Sequence, residues 1–278
     1  MNLPTIENCG NHKKVLTALI LKISTVEKIY LLGASMCRQR TESIFGHPAA
    51  GCNRAGHYYL LVLVNKDTCY GHNDLQDRIE NTCRNVVPVT VIILSINQFT
   101  SWHAKGHRFV ATVLANAELL YGVDDWMVTT KNTLNETGEK KGNDDYWTEV
   151  YNRANEFIEG TKWYLLRRQN KMALFMLQQA AVLLLCSIFK KHSGLHMPTH
   201  NLDKLLRYCS LVTHRITDLF PKDNEKELRL FQLLQQANAY VKHKQEFVIT
   251  KHDAAILLER IVHLQKMYKI SIQGSAVL

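Results

Sequence analysis

The sequence predicts a mixed α/β domain followed by an all-α antiparallel helical bundle. Three observations carry this reading. Residues 26–32, 56–64 and 86–96 are apolar, β-branched runs of strand length, and the first ends at Gly33-Ala34-Ser35. From Tyr146 onward the apolar residues recur at helical spacing instead. Between the two halves, residues 128–145 are a mixture of Thr, Asn, Lys, Glu and Gly with almost nothing to bury. The expected organisation is an α/β domain over 1–125, a polar linker over 126–148 and a helical bundle over 149–278.

The chain of 278 residues is 46% apolar, enough for two ordinary domains with sizeable cores. No uninterrupted apolar run approaches the roughly 20 residues a membrane helix needs. Residues 1–10 lack the basic-then-apolar layout of a signal peptide. Both observations lead to the expectation of a cytoplasmic protein without a membrane partner. Cys9, Cys37, Cys52, Cys69, Cys83, Cys186 and Cys209 are odd in number and form no Cys-x-x-Cys pair, so they read as reduced thiols. The net charge of +9 is unevenly placed: residues 149–278 carry 19 basic against 11 acidic side chains, a net +8. That concentration suits an anionic partner for the C-terminal half.

Taken in order, residues 15–26 are apolar at helical spacing and predict a helix packed on the sheet. The first strand and its glycine turn follow. Residues 38–56 read as a helix start running into a loop around Gly46-His47-Pro48. Residues 73–80 predict a helix with Asn73 and Asp74 at its N-terminus, where capping favours them. Its carboxylates Asp74, Asp77 and Glu80 read as a solvated face rather than a metal site. His103 and His107 have the i, i+4 spacing of metal ligands, but Gly106 between them weakens the helix that spacing needs. Residues 109–121 predict a helix or helix–strand element that closes the first domain.

Strand, Gly-small turn, strand, strand resembles the core of minimal, polymerase-beta-like nucleotidyltransferases. That family places a Gly-Ser turn after its first strand, an Asp-x-Asp pair at the start of the second and a third carboxylate on the next. The three carboxylates hold two divalent metals for in-line transfer. Here Gly33 is kept, Ala34 stands at the serine position and Ser35 comes one position late. His57 and Tyr59 occupy the Asp-x-Asp positions, and residues 86–96 contain no Asp or Glu. The resemblance therefore implies the frame without the chemistry: no metal, no cofactor and no catalytic residue in this half.

Five helices are expected in the second half. Tyr151, Ala154, Phe157, Ile158, Trp163, Leu165 and Leu166 mark the first. Leu183, Leu184, Ile188 and Phe189 lie on the second, which Gly194 ends. Leu202, Leu205, Leu206, Cys209 and Val212 stripe the third, with Thr199 or Asn201 as cap and Phe220-Pro221 as breaker. Leu230, Leu233, Leu234 and Ala237 mark the fourth. After a short extended piece over 247–250, Thr250 caps the fifth, with Asp253 three residues on.

This half is similar to the HEPN family, found in many bacterial proteins beside or fused to minimal nucleotidyltransferases. The residues carrying the similarity are 173–181 with the Gln179-Ala180 step, Thr199-His200-Asn201-Leu202, and 236–247 around Lys242-His243-Lys244. The resemblance implies a homodimer through the bundle that binds nucleotide or nucleic acid in its groove. Lys242, His243, Lys244, His200 and Gln179 are the expected ligand-binding residues, Lys242 foremost because it stands where relatives carry a basic residue. Active ribonucleases of the family carry Arg, four to six residues, then His. Arg207 and His214 have that spacing, and the competing reading is two solvated side chains on one helix face. The function expected is a nucleotide- or nucleic-acid-binding sensor. The rivals are a toxin-class ribonuclease, residual nucleotidyl transfer and a structural dimerisation unit.

Overall fold

The computed structural model describes residues 9–39, 52–65, 71–122, 136–243 and 248–272. The chain forms two compact units, Met1–Leu134 and Asn135–Leu278. A four-stranded mixed sheet dominates the first unit and helices make up the second.

The first unit runs α1 (Cys9–Ile23), β1 (Val26–Gln39), β2 (Cys52–Val64), α2 (His72–Cys83), β3 (Val89–Ser95), α3 (Ile96–Ala104), α4 (Arg108–Asn116) and β4 (Glu118–Tyr121). The sheet order is β3-β2-β1-β4, with β1 antiparallel to both neighbours and β2 parallel to β3. The parallel pair needs a crossover, and α2 supplies it. Strand β2 explains why its sequence is apolar without alternation. Tyr58, Leu60, Val62 and Val64 join a core with Leu16 and Ile20 of α1 and Leu75 and Ile79 of α2. The alternate residues Tyr59, Leu61 and Leu63 are equally buried on the opposite face, where Tyr30 of β1 stacks on Phe99 of α3.

The expected turn at Gly33-Ala34-Ser35 does not form. Strand β1 continues through it to Gln39, so no helix starts at Arg38 either. The register explains the glycine: Leu31 faces Leu60 and Gly33 faces Tyr59, leaving Leu32 without a partner on β2. One extra residue on one strand is a β-bulge, and glycine beside a bulge is a recurrent choice. The third predicted strand also ends earlier than residue 96. Ser95 accepts a hydrogen bond from the Gln98 N–H at 3.2 Å and so caps α3. The N-cap of α2 is Gly71, with Asn73 and Asp74 inside the first turn rather than capping it. Glu80 of that helix is no solvated carboxylate: its Oε1 accepts from the Val91 N–H at 3.1 Å and from Gln76 at 2.8 Å, tying α2 to β3.

The second unit contains α5 (Glu136–Leu166), α6 (Asn170–Ser193), α7 (Leu202–Ser210), a 3-10 helix (His214–Leu219), α8 (Glu225–His243) and α9 (Lys251–Ile272). Backbone helix thus begins at Glu136, inside the stretch expected as linker. Helix α6 is the centre of the bundle and packs against α5, α7, α8 and α9. It is long and apolar enough to cross a membrane by composition, yet 72% of its most apolar window is buried inside the fold, so its apolarity is spent on neighbouring helices. Gly194 ends it in the left-handed conformation at φ 78°, as the sequence indicates. The fifth-helix signal forms a capping box. Thr250 Oγ1 accepts from the Asp253 N–H at 3.0 Å, and Asp253 Oδ2 accepts from the Thr250 N–H at 3.1 Å. Residues 248–250 precede it without strand pairing, and residue 247 lies outside the described residues.

Candidate functional site

In the first unit the sheet brings together most of the residues on which the nucleotidyltransferase resemblance rests. Ser35 faces His57 and Gly33 faces Tyr59 across β1 and β2, and Tyr59 faces Thr90 on β3. Residues two apart on a strand share a face, so Gly33, Ser35, His57 and Tyr59 lie side by side, whereas Ala34 pairs with Tyr58 on the other. His57 Nε2 lies 2.7 Å from Thr90 Oγ1, and its ring sits 4.8 Å from that of Tyr59. The groups gathered here are an imidazole, two hydroxyls and a phenol. None of them is a carboxylate, so they offer hydrogen bonds rather than the paired acidic oxygens that hold two divalent cations. Among the described residues no three His, Cys, Asp or Glu side chains are grouped as a metal site. The His103/His107 pair is divided between elements: His103 lies in α3, while His107 caps α4 by accepting from the Phe109 N–H and stacks on Trp102 at 4.5 Å.

In the second unit the third predicted helix is shorter than its sequence stripe. Helix α7 ends at Ser210, whose hydroxyl donates to the Arg207 carbonyl at 2.7 Å, and Thr213 then caps the 3-10 helix that His214 begins. Arg207 and His214 therefore do not share a helix face, contrary to the sequence reading. The Arg207 guanidinium is already engaged, with Nε 3.2 Å from Asp203 Oδ2, and Lys222 binds the other oxygen of the same carboxylate. Burial alone would raise the Asp203 pKa. The hydrogen bond and charge of Lys222, with those of Arg207, outweigh it and hold the carboxyl below its ordinary range.

Gln179 and His200 are brought close to one another, through a residue the sequence reading passed over. Gln178 is fully buried; it accepts from the Gln179 side-chain amide at 2.6 Å and donates to the His200 carbonyl at 3.5 Å. The His200 side chain itself is exposed. Asn201 is the cap of α7, accepting from the Lys204 N–H at 3.1 Å. Lys242 and His243 close α8, their side chains lying outside the described residues together with all of Lys244.

Two further groupings are visible only in three dimensions. At the C-terminal end of α6, Lys190 Nζ lies 4.0 Å from the Tyr146 ring centre, while Trp147 is held by the Tyr268 hydroxyl donating to its carbonyl at 2.9 Å. At the opposite end of α6, the turn from α5 carries Trp163, Arg167 and Arg168 on its surface beside a cleft of about 500 Å³. Apart from the loss of apolar periodicity around 167–171, no sequence signal marks either grouping, because each draws on elements distant in the chain.

Helices of this number and order, wrapped around one apolar central helix, occupy the segment that carries the family match. Residues 147–270 match the HEPN domain. The HEPN match begins at Trp147 in α5 and ends at Ile270 in α9, so it takes in Gln179, His200, Arg207, His214, Lys242, His243 and Lys244. No curated protein matches the chain.

Proposed function

We propose that the chain is a nucleotide- or nucleic-acid-binding regulatory protein whose helical unit carries the binding. The observation behind this is that the HEPN domain covers the half holding nearly all the excess positive charge: net +8 over 149–278. At the level of the family, the HEPN match supports a nucleic-acid-related function. Lys242, His243, Lys244, His200 and Gln179 are the proposed contacts, with Lys242 the principal phosphate partner. The sheet unit is proposed as a nucleotidyltransferase-like frame without transfer activity, since His57 and Tyr59 replace carboxylates there. The protein is further proposed to act as a cytoplasmic homodimer joined through the bundle.

The test is the material that accompanies the purified protein. Denaturing it and analysing the supernatant by absorbance ratio and mass spectrometry should release nucleotide or nucleic acid. A supernatant free of both, from protein purified at low salt, would speak against the proposal.

The ribonuclease reading rests on the same HEPN match. Arg207, tied to Asp203, is poorly placed to share a helix face with His214. Purified protein incubated with tRNA should accordingly leave it intact. RNA cleavage that disappears in His214→Ala would make the protein a ribonuclease instead.

A further inference from the structure

We infer that the α5–α6 turn is a landing surface for single-stranded nucleic acid, with Trp163 as the base-stacking platform and Arg167 and Arg168 as phosphate partners. The inference rests on the binding function proposed above and gives it contact residues beyond Lys242.

The surface is unusual for what it exposes. Trp163 is 56% exposed, Leu166 75% and Val248 80%, among the most open large apolar side chains of the described residues. Isolated exposed apolar residues need no explanation, but here they accompany cations. The Arg167 guanidinium lies 5.0 Å from the Trp163 ring centre, a spacing at which cation and indole attract. Arg168 follows, and with Asn170, Lys171, Val248 and Ile249 it lines the adjoining cleft of about 500 Å³. That volume falls in the range of small-ligand sites. The first turn of α6 borders the same cleft, and its N-cap Gln169 makes no side-chain capping bond. Its N–H groups therefore add to the positive character there.

Arg168 occupies a position that folding alone would give to glycine. It stands at φ 58°, the one non-glycine residue with positive φ among those described, whereas α6 ends in the same conformation with Gly194. An arginine held there at a conformational cost keeps a cation on the wall of the cleft.

Charge decides between two occupants. A second copy meeting this surface about a two-fold axis would set the same arginine-bearing patch against itself, positive patch against positive patch. A nucleic acid strand is complementary in sign, and it brings unpaired bases that stack on an exposed indole irrespective of sequence. Duplex bases are already stacked on one another, which favours the single strand.

The experiment uses the full chain and a fluorescein-labelled 12-nucleotide oligo(U) or oligo(dT), measured by anisotropy at low salt. The same oligonucleotide annealed to its complement, and ATP as a competitor, form the other arms. Trp163→Ala is expected to weaken single-strand binding about tenfold, from the loss of one base stack. Arg168→Gly, which suits the local backbone, is expected to weaken it while leaving the thermal melt unchanged or raised, so that lost binding is not lost folding. Duplex should bind less tightly than the single strand. If wild type binds the oligonucleotides and both variants bind them equally well, this surface is not the site, although the proposed function stands. If wild type binds neither oligonucleotide nor ATP, the proposed function falls and this inference with it. If Trp163→Ala turns a dimer into a monomer in sedimentation while its affinity for the strand is unchanged, the surface is a self-association face and the inference is overturned.

Discussion

The backbone N–H of Gln169 donates to the Tyr164 carbonyl at 2.9 Å, closing the last turn of α5 across Arg168. Arg168 in turn donates to the Leu165 carbonyl at 3.2 Å. These two bonds form a Schellman motif with Arg168 at the left-handed position. A Cβ at that φ is strained, so Arg168→Gly should stabilise the protein by up to about 1 kcal/mol. Urea denaturation of the two proteins measures it. A clear loss of stability would mean that the arginine side chain contributes packing or pairing worth more than the strain.

The start of α9 depends on one carboxylate. Asp253 accepts from Arg229 Nη1 and Nη2 at 3.2 and 3.1 Å as well as from Thr250 N–H. Burial by itself would raise its pKa; the Arg229 hydrogen bonds, those of Thr250 and the Arg229 charge outweigh it, and the folded value lies below the ordinary 3.8. A carboxyl with a depressed folded pKa adds stability that is present above its unfolded pKa and lost as pH falls through the folded one. Asp253→Ala should therefore cost about 2 kcal/mol at pH 7. The gap from wild type should narrow once pH drops below about 4. Denaturant midpoints across pH 7 to 2 test both parts, and a gap independent of pH would show that the charge is irrelevant.

Gly122 leaves β4 at φ 109°, with its backbone against β1. A Cβ there would stand 2.7 Å from the Glu27 carbonyl oxygen and 2.9 Å from Lys28 Cγ. Backbone cannot move aside as a flexible side chain can. Gly122→Ala should destabilise the first unit by about 2 kcal/mol. An unchanged melting temperature would show that this edge of the sheet adapts freely.

Thiol labelling should report on two buried cysteines, Cys83 and Cys209, and the half-buried Cys186. Burial pushes the Cys83 and Cys186 thiols up to about 11 and raises that of Cys209 as well. The thiolate is the reactive form. At pH 8 these three should resist iodoacetamide in the native protein and react after unfolding, as mapped by peptide mass spectrometry. Rapid native labelling of Cys209 would contradict its burial.

What could be read from the sequence followed the locality of the signal. The α9 capping box needs only Thr250 and Asp253, three residues apart, and Gly194 marks its helix end by itself. Periodicity found the helices of the second unit, because burying one stripe per helix leaves its spacing in the chain. Gly33 forms a bulge where the sequence predicts a turn, because a glycine after an apolar strand looks alike in both cases; only the pairing of Leu31 with Leu60 and Gly33 with Tyr59 separates the two. The apolar stripe through Val212 likewise concealed the break after Ser210, where a hydroxyl competes for the helix carbonyl. Gln178, rather than the Gln179 singled out, is the buried link to His200, since adjacent glutamines differ only in which way the folded helix points them. Helical spacing puts Trp163 and Leu166 on the apolar stripe of the first bundle helix, yet both are exposed where that helix ends, and nothing in the chain marks the cleft that Val248 lines 85 residues after Trp163.

The claim that the helical unit binds a polyanion is tested most directly by the salt dependence of binding. Affinity of the full chain for a mixed-sequence single-stranded RNA should be measured from 50 to 200 mM salt, for wild type and Lys242→Ala. Contacts to phosphate release counterions, so the logarithm of the association constant should fall linearly with that of the salt concentration. Removing one contacting lysine should reduce the slope by about one. The expected result is a steep negative slope for wild type and a shallower one for the variant. No binding by either protein at 50 mM, or binding that does not change with salt, would contradict it.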